Sequence, residues 1–248
     1  MVLYRYIKEK NSTKKKVINY FSYITLTIGS VLLFWSFYPI LSFEIYSRLF
    51  LKTQIFSPMP ETDAVSSLEK ANSILGSYNV FSNNLKDFTQ VNLWFPTKPQ
   101  NITQENLRVK SYSLSIPKLN IKEAKVIVGG SDLTKSLVQY LPETLPGDYG
   151  NVVVFGHSTL PAMYNPLDYK TIFTFLPSLE KGDKIIAIIE GVDYEYEVYD
   201  MFVVNPDQIS VLEQSRDSAY LTLITCVPPG TYWKRLVIKA KLTQLPGD

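Results

Sequence analysis

Apolar residues follow two different rhythms in two parts of this chain. From Val17 to Phe43 there is no charged residue, and Ile24, Leu26, Ile28, Val31, Leu32, Leu33, Phe34, Trp35, Phe37, Ile40 and Leu41 form a near-continuous apolar run. A helix needs roughly 20 such residues to cross the hydrocarbon core of a bilayer. The polar members, Ser22, Thr25, Thr27, Ser30 and Ser36, are small and can bond back to the helix backbone. Trp35, Tyr38 and Tyr46 suit a membrane–water interface. From about residue 110 the rhythm changes to short β-type runs: Tyr112–Ile116, Ala124–Val128, Asn151–Phe155, Lys184–Ile189, Tyr194–Val204, Tyr220–Cys226 and Arg235–Leu242. Turn-forming residues separate them, including Gly129-Gly130, Pro146-Gly147, Glu180–Asp183 and Pro228-Pro229-Gly230. Seven or eight strands of this spacing predict a mostly β fold, a sandwich or small barrel. Ser131–Tyr140 reads as a short helix capped by Ser131 or Asp132.

The connecting region is less regular. Thr62 or Asp63 can cap a short helix over residues 62–76, with Val65, Leu68, Ala71 and Leu75 on one side. Residues 77–109 are rich in Asn, Ser and Gln and contain the aromatic knot Leu93-Trp-Phe-Pro96. The expected organisation is a basic tail (residues 1–16), a transmembrane anchor (17–43), a stalk with a packing or lid segment (44–109) and a β domain (110–248).

Charge fixes an expected orientation. Six of the 25 Lys and Arg residues, but only one of the 23 acids, lie in residues 1–16, so the remainder carries 19 basic against 22 acidic residues. The basic cluster before the span predicts a cytoplasmic N-terminus and a single-pass cell-membrane protein with its β domain outside the cytoplasm. No basic face remains for nucleic acid. A cleaved signal peptide is the alternative, but the run exceeds a typical apolar core and no small-x-small cleavage site follows it.

The chain has one histidine, His157, and one cysteine, Cys226. A free thiol in an exported protein has no disulfide partner within the chain, so either it is buried and inert or it is needed. The two final strands argue for the second. Leu236, Ile238, Ala240 and Leu242 alternate with Arg235, Val237, Lys239 and Lys241; Leu221 and Leu223 alternate with Thr222, Ile224 and Cys226. Antiparallel pairing with Cys226 opposite Arg235 puts Ile224 opposite Val237 and Thr222 opposite Lys239, and places the leucines on one buried face. Thiol and guanidinium then lie side by side on the outer face. His157 ends the apolar run Val152-Val-Val-Phe155 after a glycine, a strand-to-loop position suited to a working side chain. A thiolate nucleophile, an imidazole to move protons and a cation to steady an oxyanion suffice for acyl transfer. A non-catalytic membrane-anchored β domain with an inert thiol is the rival from a different class. An exported cysteine peptidase or hydrolase, with water replacing the amine, is the milder variant.

Several segments carry a family resemblance. Thr222-Leu-Ile-Thr-Cys226 resembles the T-L-x-T-C motif of sortases. Leu114-Ser-Ile-Pro-Lys-Leu-Asn-Ile121, Gly150-Asn-Val-Val-Val-Phe-Gly-His157, Leu179-Glu-Lys-Gly-Asp183 and the segments beginning at Cys226 and Arg235 are similar to further sortase stretches, in matching order. The resemblance implies an eight-stranded sortase-type β-barrel and a cysteine transpeptidase. It implies His157, Cys226 and Arg235 as catalytic residues and Thr225, with Ile224 and Val237, as substrate-binding neighbours. It implies secreted proteins bearing an L-P-x-T-G-like sorting signal as donors, cleaved after Thr through a thioacyl-enzyme. The acceptor is an amine of the cell envelope, from a cell-wall precursor or a pilin lysine. No cofactor or metal is expected; Glu190, Asp193, Glu195 and Glu197 read as an exposed strand face. Pilin-polymerising members often carry an acid-proline-aromatic lid, and Leu93-Trp-Phe-Pro96 lies in that region without matching the motif. Leu141-Pro-Glu-Thr144 reads like a sorting signal within the chain, but Leu145 follows it where the signal has Gly, so connector sequence is expected.

Overall fold

The computed structural model describes residues 12–53, 90, 91, 94 and 107–244. The short helix expected over residues 62–76 lies outside the described residues. Two compact units are present, Met1–Ser42 and Phe43–Asp248.

From Ser12 onward the first unit is helical, as part of helix α1 (Ser12–Phe50). Its large apolar side chains point outward, and the stretch Lys14–Leu49 is long and apolar enough to cross a membrane. The small polar residues turn inward on the helix itself: Thr25 Oγ1 donates to the Phe21 carbonyl at 2.9 Å and Thr27 Oγ1 to the Tyr23 carbonyl at 2.7 Å. These bonds remove hydroxyl groups from the surface that hydrocarbon would meet.

The second unit is an eight-stranded closed barrel. Its strands are β2 (Ser111–Ile116), β3 (Ile121–Val128), β4 (Leu137–Gln139), β5 (Gly150–Phe155), β6 (Lys184–Ile189), β7 (Val192–Val204), β8 (Ala219–Val227) and β9 (Lys234–Gln244). Around the barrel the order is β2-β3-β4-β5-β8-β9-β7-β6, returning to β2. A two-residue strand β1 (Lys52–Thr53) adds in parallel to the edge of β7 at Phe202 and Val203. The pairings β3–β4 and β5–β8 are parallel; the other barrel pairings are antiparallel. Strand β7 serves β6 with one half and β9 with the other, and register shifts at Glu195/Tyr196 and Val198/Asp200 let it bend between them. The β6–β7 hairpin closes through Glu190 and Gly191, both at positive φ (53° and 81°), as a two-residue turn matched to strand twist demands.

Two apolar clusters hold the barrel. The inner one includes Leu114, Ile116, Val126, Val152, Val154, Ile185, Tyr196, Leu221, Leu223, Leu236, Ile238 and Ala240. The outer one includes Val91, Trp94, Leu133, Val138, Tyr140, Val153, Phe155, Val211, Leu212, Ile224, Cys226 and Val237. Strand β5 is thus buried on both faces, which is why Val152-Val-Val-Phe155 is apolar without alternation.

Two sequence expectations are corrected. Residues 131–140 are not a helix. Asp132 Oδ1 accepts hydrogen bonds from the Thr134 backbone N–H (2.9 Å) and hydroxyl (2.6 Å), closing a turn that leads into β4. Side chains that cap helices also close turns, so the capping signal was real but its element was not. The outer face of β8 and β9 near Cys226 is not solvent-exposed either; the outer cluster covers it.

Candidate active site

Cys226 lies between Arg235 on the next strand and His157 just past the end of β5. On one side it pairs with Arg235 of β9. The same register sets Ile224 opposite Val237 and Thr222 opposite Lys239. On the other side β5 runs parallel to β8, with Phe155 paired to Ile224 as the last regular pair. Two residues further along both chains stand His157 and Cys226, on the face that Phe155 and Ile224 share.

Hydrogen bonds continue past the end of the regular ladder. Gly156 N–H donates to the Ile224 carbonyl at 3.2 Å. The Thr225 hydroxyl donates to the Gly156 carbonyl at 2.8 Å, and the Ser158 hydroxyl to the Cys226 carbonyl at 2.6 Å. The His157 carbonyl accepts from Phe173 N–H at 2.9 Å. Gly156 allows this close approach: a Cβ there would fall 2.3 Å from Phe173 Cδ2 and 2.7 Å from Leu137 Cδ2.

Cys226 and Arg235 are covered rather than open, and His157 is half-buried. Cys226 is 6% exposed and Arg235 3%. Trp94, at 1% exposure, lies on them. Its ring stands 5.2 Å from the Arg235 guanidinium carbon, edge-on to His157 with centroids 5.7 Å apart, and edge-on to Phe155, also at 5.7 Å. Its carbonyl accepts from Arg235 Nη2 at 3.2 Å, while Nη1 is held by the carbonyls of Tyr232 (2.9 Å) and Lys234 (3.2 Å). Val91 is buried in the same cluster, and its N–H bonds to the Ser131 carbonyl at 3.1 Å.

Burial sets the protonation states. It pulls the His157 imidazole down from its usual 6.5 to about 4; Asp132 and Asp168 act against that shift and Lys170 with it. Burial raises the Cys226 thiol above its usual value, with Arg235 working against it. The covered pair is therefore neutral thiol and neutral imidazole near pH 7. Two of the five side-chain polar atoms buried without a hydrogen-bond partner among the described residues, His157 Nε2 and Arg235 Nε, flank the thiol. Buried donors and acceptors left unmatched are uncommon and costly.

The remaining sequence-predicted residues fall on different faces. Thr225 points inward and is spent on the Gly156 carbonyl. Ile224 and Val237 are on the outer face with Cys226, fully buried in the outer cluster. Sequence reading missed Trp94 as a neighbour of the cysteine, and Ser158, whose only signal was a hydroxyl directly after the histidine. Among the described residues no group of His, Cys, Asp and Glu is arranged to hold a metal ion.

The family model of the sortase domain matches residues 114–243, just over half of the 248-residue chain. The chain belongs to the sortase family. Its members are cysteine transpeptidases, and the barrel and the N-terminal apolar helix, compatible with a signal anchor, accord with membership. Sortase D of Bacillus subtilis (strain 168) is 29% identical over 133 residues, covering 52% of this chain and 61% of that protein. Sortase A of Bacillus anthracis is 30% identical over 136 residues, 55% of this chain and 58% of that one. The chain thus spans about three-fifths of the length of these relatives. The crystal structure of Streptococcus pneumoniae sortase C superposes with a TM-score of 0.51 at 22% identity, covering 77% of this chain and 94% of that one, and so shares the fold.

Proposed function

We propose that this sortase is a membrane-anchored transpeptidase. It cleaves an L-P-x-T-G-like sorting signal after Thr and joins the product to an amine of the cell envelope. The N-terminus lies in the cytoplasm and the barrel outside. In the first half-reaction the Cys226 sulfur bonds to the scissile carbonyl carbon. The thiol proton passes through His157 to the leaving nitrogen as the C–N bond breaks, leaving a thioester. In the second, the acceptor amine attacks the thioester, the C–S bond breaks, and the proton released by the amine returns to the sulfur through His157. Arg235 steadies the oxyanion in both. The acceptor is a cell-wall precursor or a pilin lysine.

The observation that carries this reading is what Arg235 holds at rest. Its Nη2 grips a peptide carbonyl, that of Trp94, beside the thiol. A substrate carbonyl needs the same donor at the same place. Val91 and Trp94 therefore act as a lid over Ile224 and Val237, with Thr225 acting through the Gly156 backbone. Opening the lid rehydrates the imidazole and raises its basicity, which couples access to readiness for proton transfer.

A non-catalytic β domain also predicts a buried thiol. It gives no reason for an imidazole with an unmatched Nε2 and a guanidinium that grips a peptide carbonyl to flank that thiol. The test uses the full chain in detergent with an L-P-x-T-G peptide library, with and without triglycine. A new peptide–triglycine amide that disappears in Cys226→Ala supports the transpeptidase. Cys226-dependent cleavage without the amide identifies a hydrolase, and no Cys226-dependent product overturns both.

A further inference from the structure

The loop between β7 and β8 carries a short 3-10 turn, Ile209–Leu212, and puts Val211 and Leu212 into the outer cluster with Cys226 and Trp94. This turn thus packs in the same cluster as Ile224, Val237 and the thiol. Two residues past it, Gln214 is inserted into the barrel edge in an unusual way. Strand β4 pairs with β5 only at Val154 and Phe155, which leaves the backbone of Asn151 without a strand neighbour on that side. The Gln214 amide takes the neighbour's place: Oε1 accepts from Asn151 N–H at 2.8 Å and Nε2 donates to the Asn151 carbonyl at 2.8 Å. One side-chain amide thus stands in for one residue of a missing strand.

The Asn151 side chain locks the arrangement from the other direction. Its Nδ2 donates to the Glu213 carbonyl at 3.2 Å, and its Oδ1 accepts from the Thr222 hydroxyl on β8 at 2.7 Å. Thr144 joins through its hydroxyl, which donates to Gln214 Oε1 at 3.1 Å, while its carbonyl accepts from Gln139 Nε2 at 2.7 Å. Asn151, Thr144 and Thr222 are all buried. This gives Leu141-Pro-Glu-Thr144 a structural job: its threonine is fixed in the loop's anchorage. None of these bonds involves His157, Cys226 or Arg235.

We propose that Asn151 and Gln214 are positioning residues that hold the Ile209–Leu212 turn as a fixed wall, and so set the affinity of the site for the apolar part of the sorting signal. The proposal rests on the transpeptidase reading above. Thr222, first residue of the Thr222–Cys226 motif, then serves the wall rather than the thiol.

The test compares full-length wild type, Gln214→Ala and Gln214→Glu in detergent. Glutamate keeps the two acceptor contacts but replaces the donor by a charged oxygen that repels the Asn151 carbonyl. Amide exchange over residues 209–214 is read by mass spectrometry alongside KM and kcat for the donor peptide. Expected are exchange roughly tenfold faster in Gln214→Ala, as for a locally released segment, and KM raised about five- to tenfold with kcat within twofold of wild type. Gln214→Glu should also exchange faster than wild type, because the lost donor is what holds the Asn151 carbonyl. Unchanged exchange overturns the anchorage. Faster exchange with unchanged KM, or with a fall confined to kcat, overturns the role in affinity. If the wild type itself forms no acyl-enzyme, the transpeptidase reading fails before any variant is compared, and the role in affinity falls with it.

Discussion

Trp94 and Arg235 are held together twice. The indole ring faces the guanidinium at 5.2 Å and the tryptophan carbonyl accepts from Nη2 at 3.2 Å. They are 141 residues apart in sequence. The contact closes the site over Cys226, and several consequences can be measured.

Removing the indole should expose the thiol. Cys226 is buried and its ionisation is disfavoured, so wild-type alkylation by iodoacetamide at neutral pH should be slow. In Trp94→Ala it should accelerate by at least about tenfold, because access and thiolate fraction rise together. Equal rates in the folded proteins, with rapid alkylation after denaturation, would show that Trp94 is not what covers the thiol.

The histidine should make stability depend on pH in a defined window. Burial lowers His157 from 6.5 to about 4, so between those values the unfolded chain binds a proton that the folded chain does not. Stability is then lost as pH falls from 6.5 towards 4, by up to about 3 kcal/mol from this residue. Melting curves of wild type and His157→Gln should diverge across that interval. Parallel curves would mean the imidazole is not held neutral by burial.

Gly156→Ala should disturb the strand end that carries the histidine. The added methyl meets Phe173 and Leu137 at 2.3 Å and 2.7 Å, an overpacking that costs about 1–3 kcal/mol. A fall in denaturation midpoint is expected, partly recovered by Phe173→Leu, which removes the clashing ring atoms. A midpoint equal to that of wild type contradicts this packing.

Arg235→Lys should preserve charge but lose function. A lysine ammonium cannot reproduce the forked contacts of Nη1 and Nη2 to three carbonyls. Loss of an oriented oxyanion donor predicts a fall in kcat of roughly 10²–10³. A variant with near wild-type turnover would show that charge alone is what the site requires.

The Cys226–Arg235 pairing was legible in sequence because it puts Leu221 and Leu223 on the face of Leu236, Ile238 and Ala240, which a one-residue slip would not. All seven strands read from sequence are present, with ends shifted by up to three residues. The eighth, β4, is three residues long, and the turn before it uses an aspartate that suits a helix cap equally well. The covering of the outer face was not legible. Alternation shows which side chains share a face, but not what a distant segment lays over that face. Nothing local to Leu93-Trp-Phe-Pro96 says that its tryptophan meets an arginine 141 residues away. The neutral resting pair follows from that covering, so it was hidden for the same reason.

The most direct measurement is the intact mass of full-length Trp94→Ala after brief exposure to an L-P-x-T-G peptide without acceptor amine. The account predicts a mass increase equal to the peptide up to its threonine less one water, located on Cys226, released by hydroxylamine and absent in Trp94→Ala/Cys226→Ala. An uncovered thiol that alkylates readily yet never acquires this adduct, across the peptide library, would contradict it.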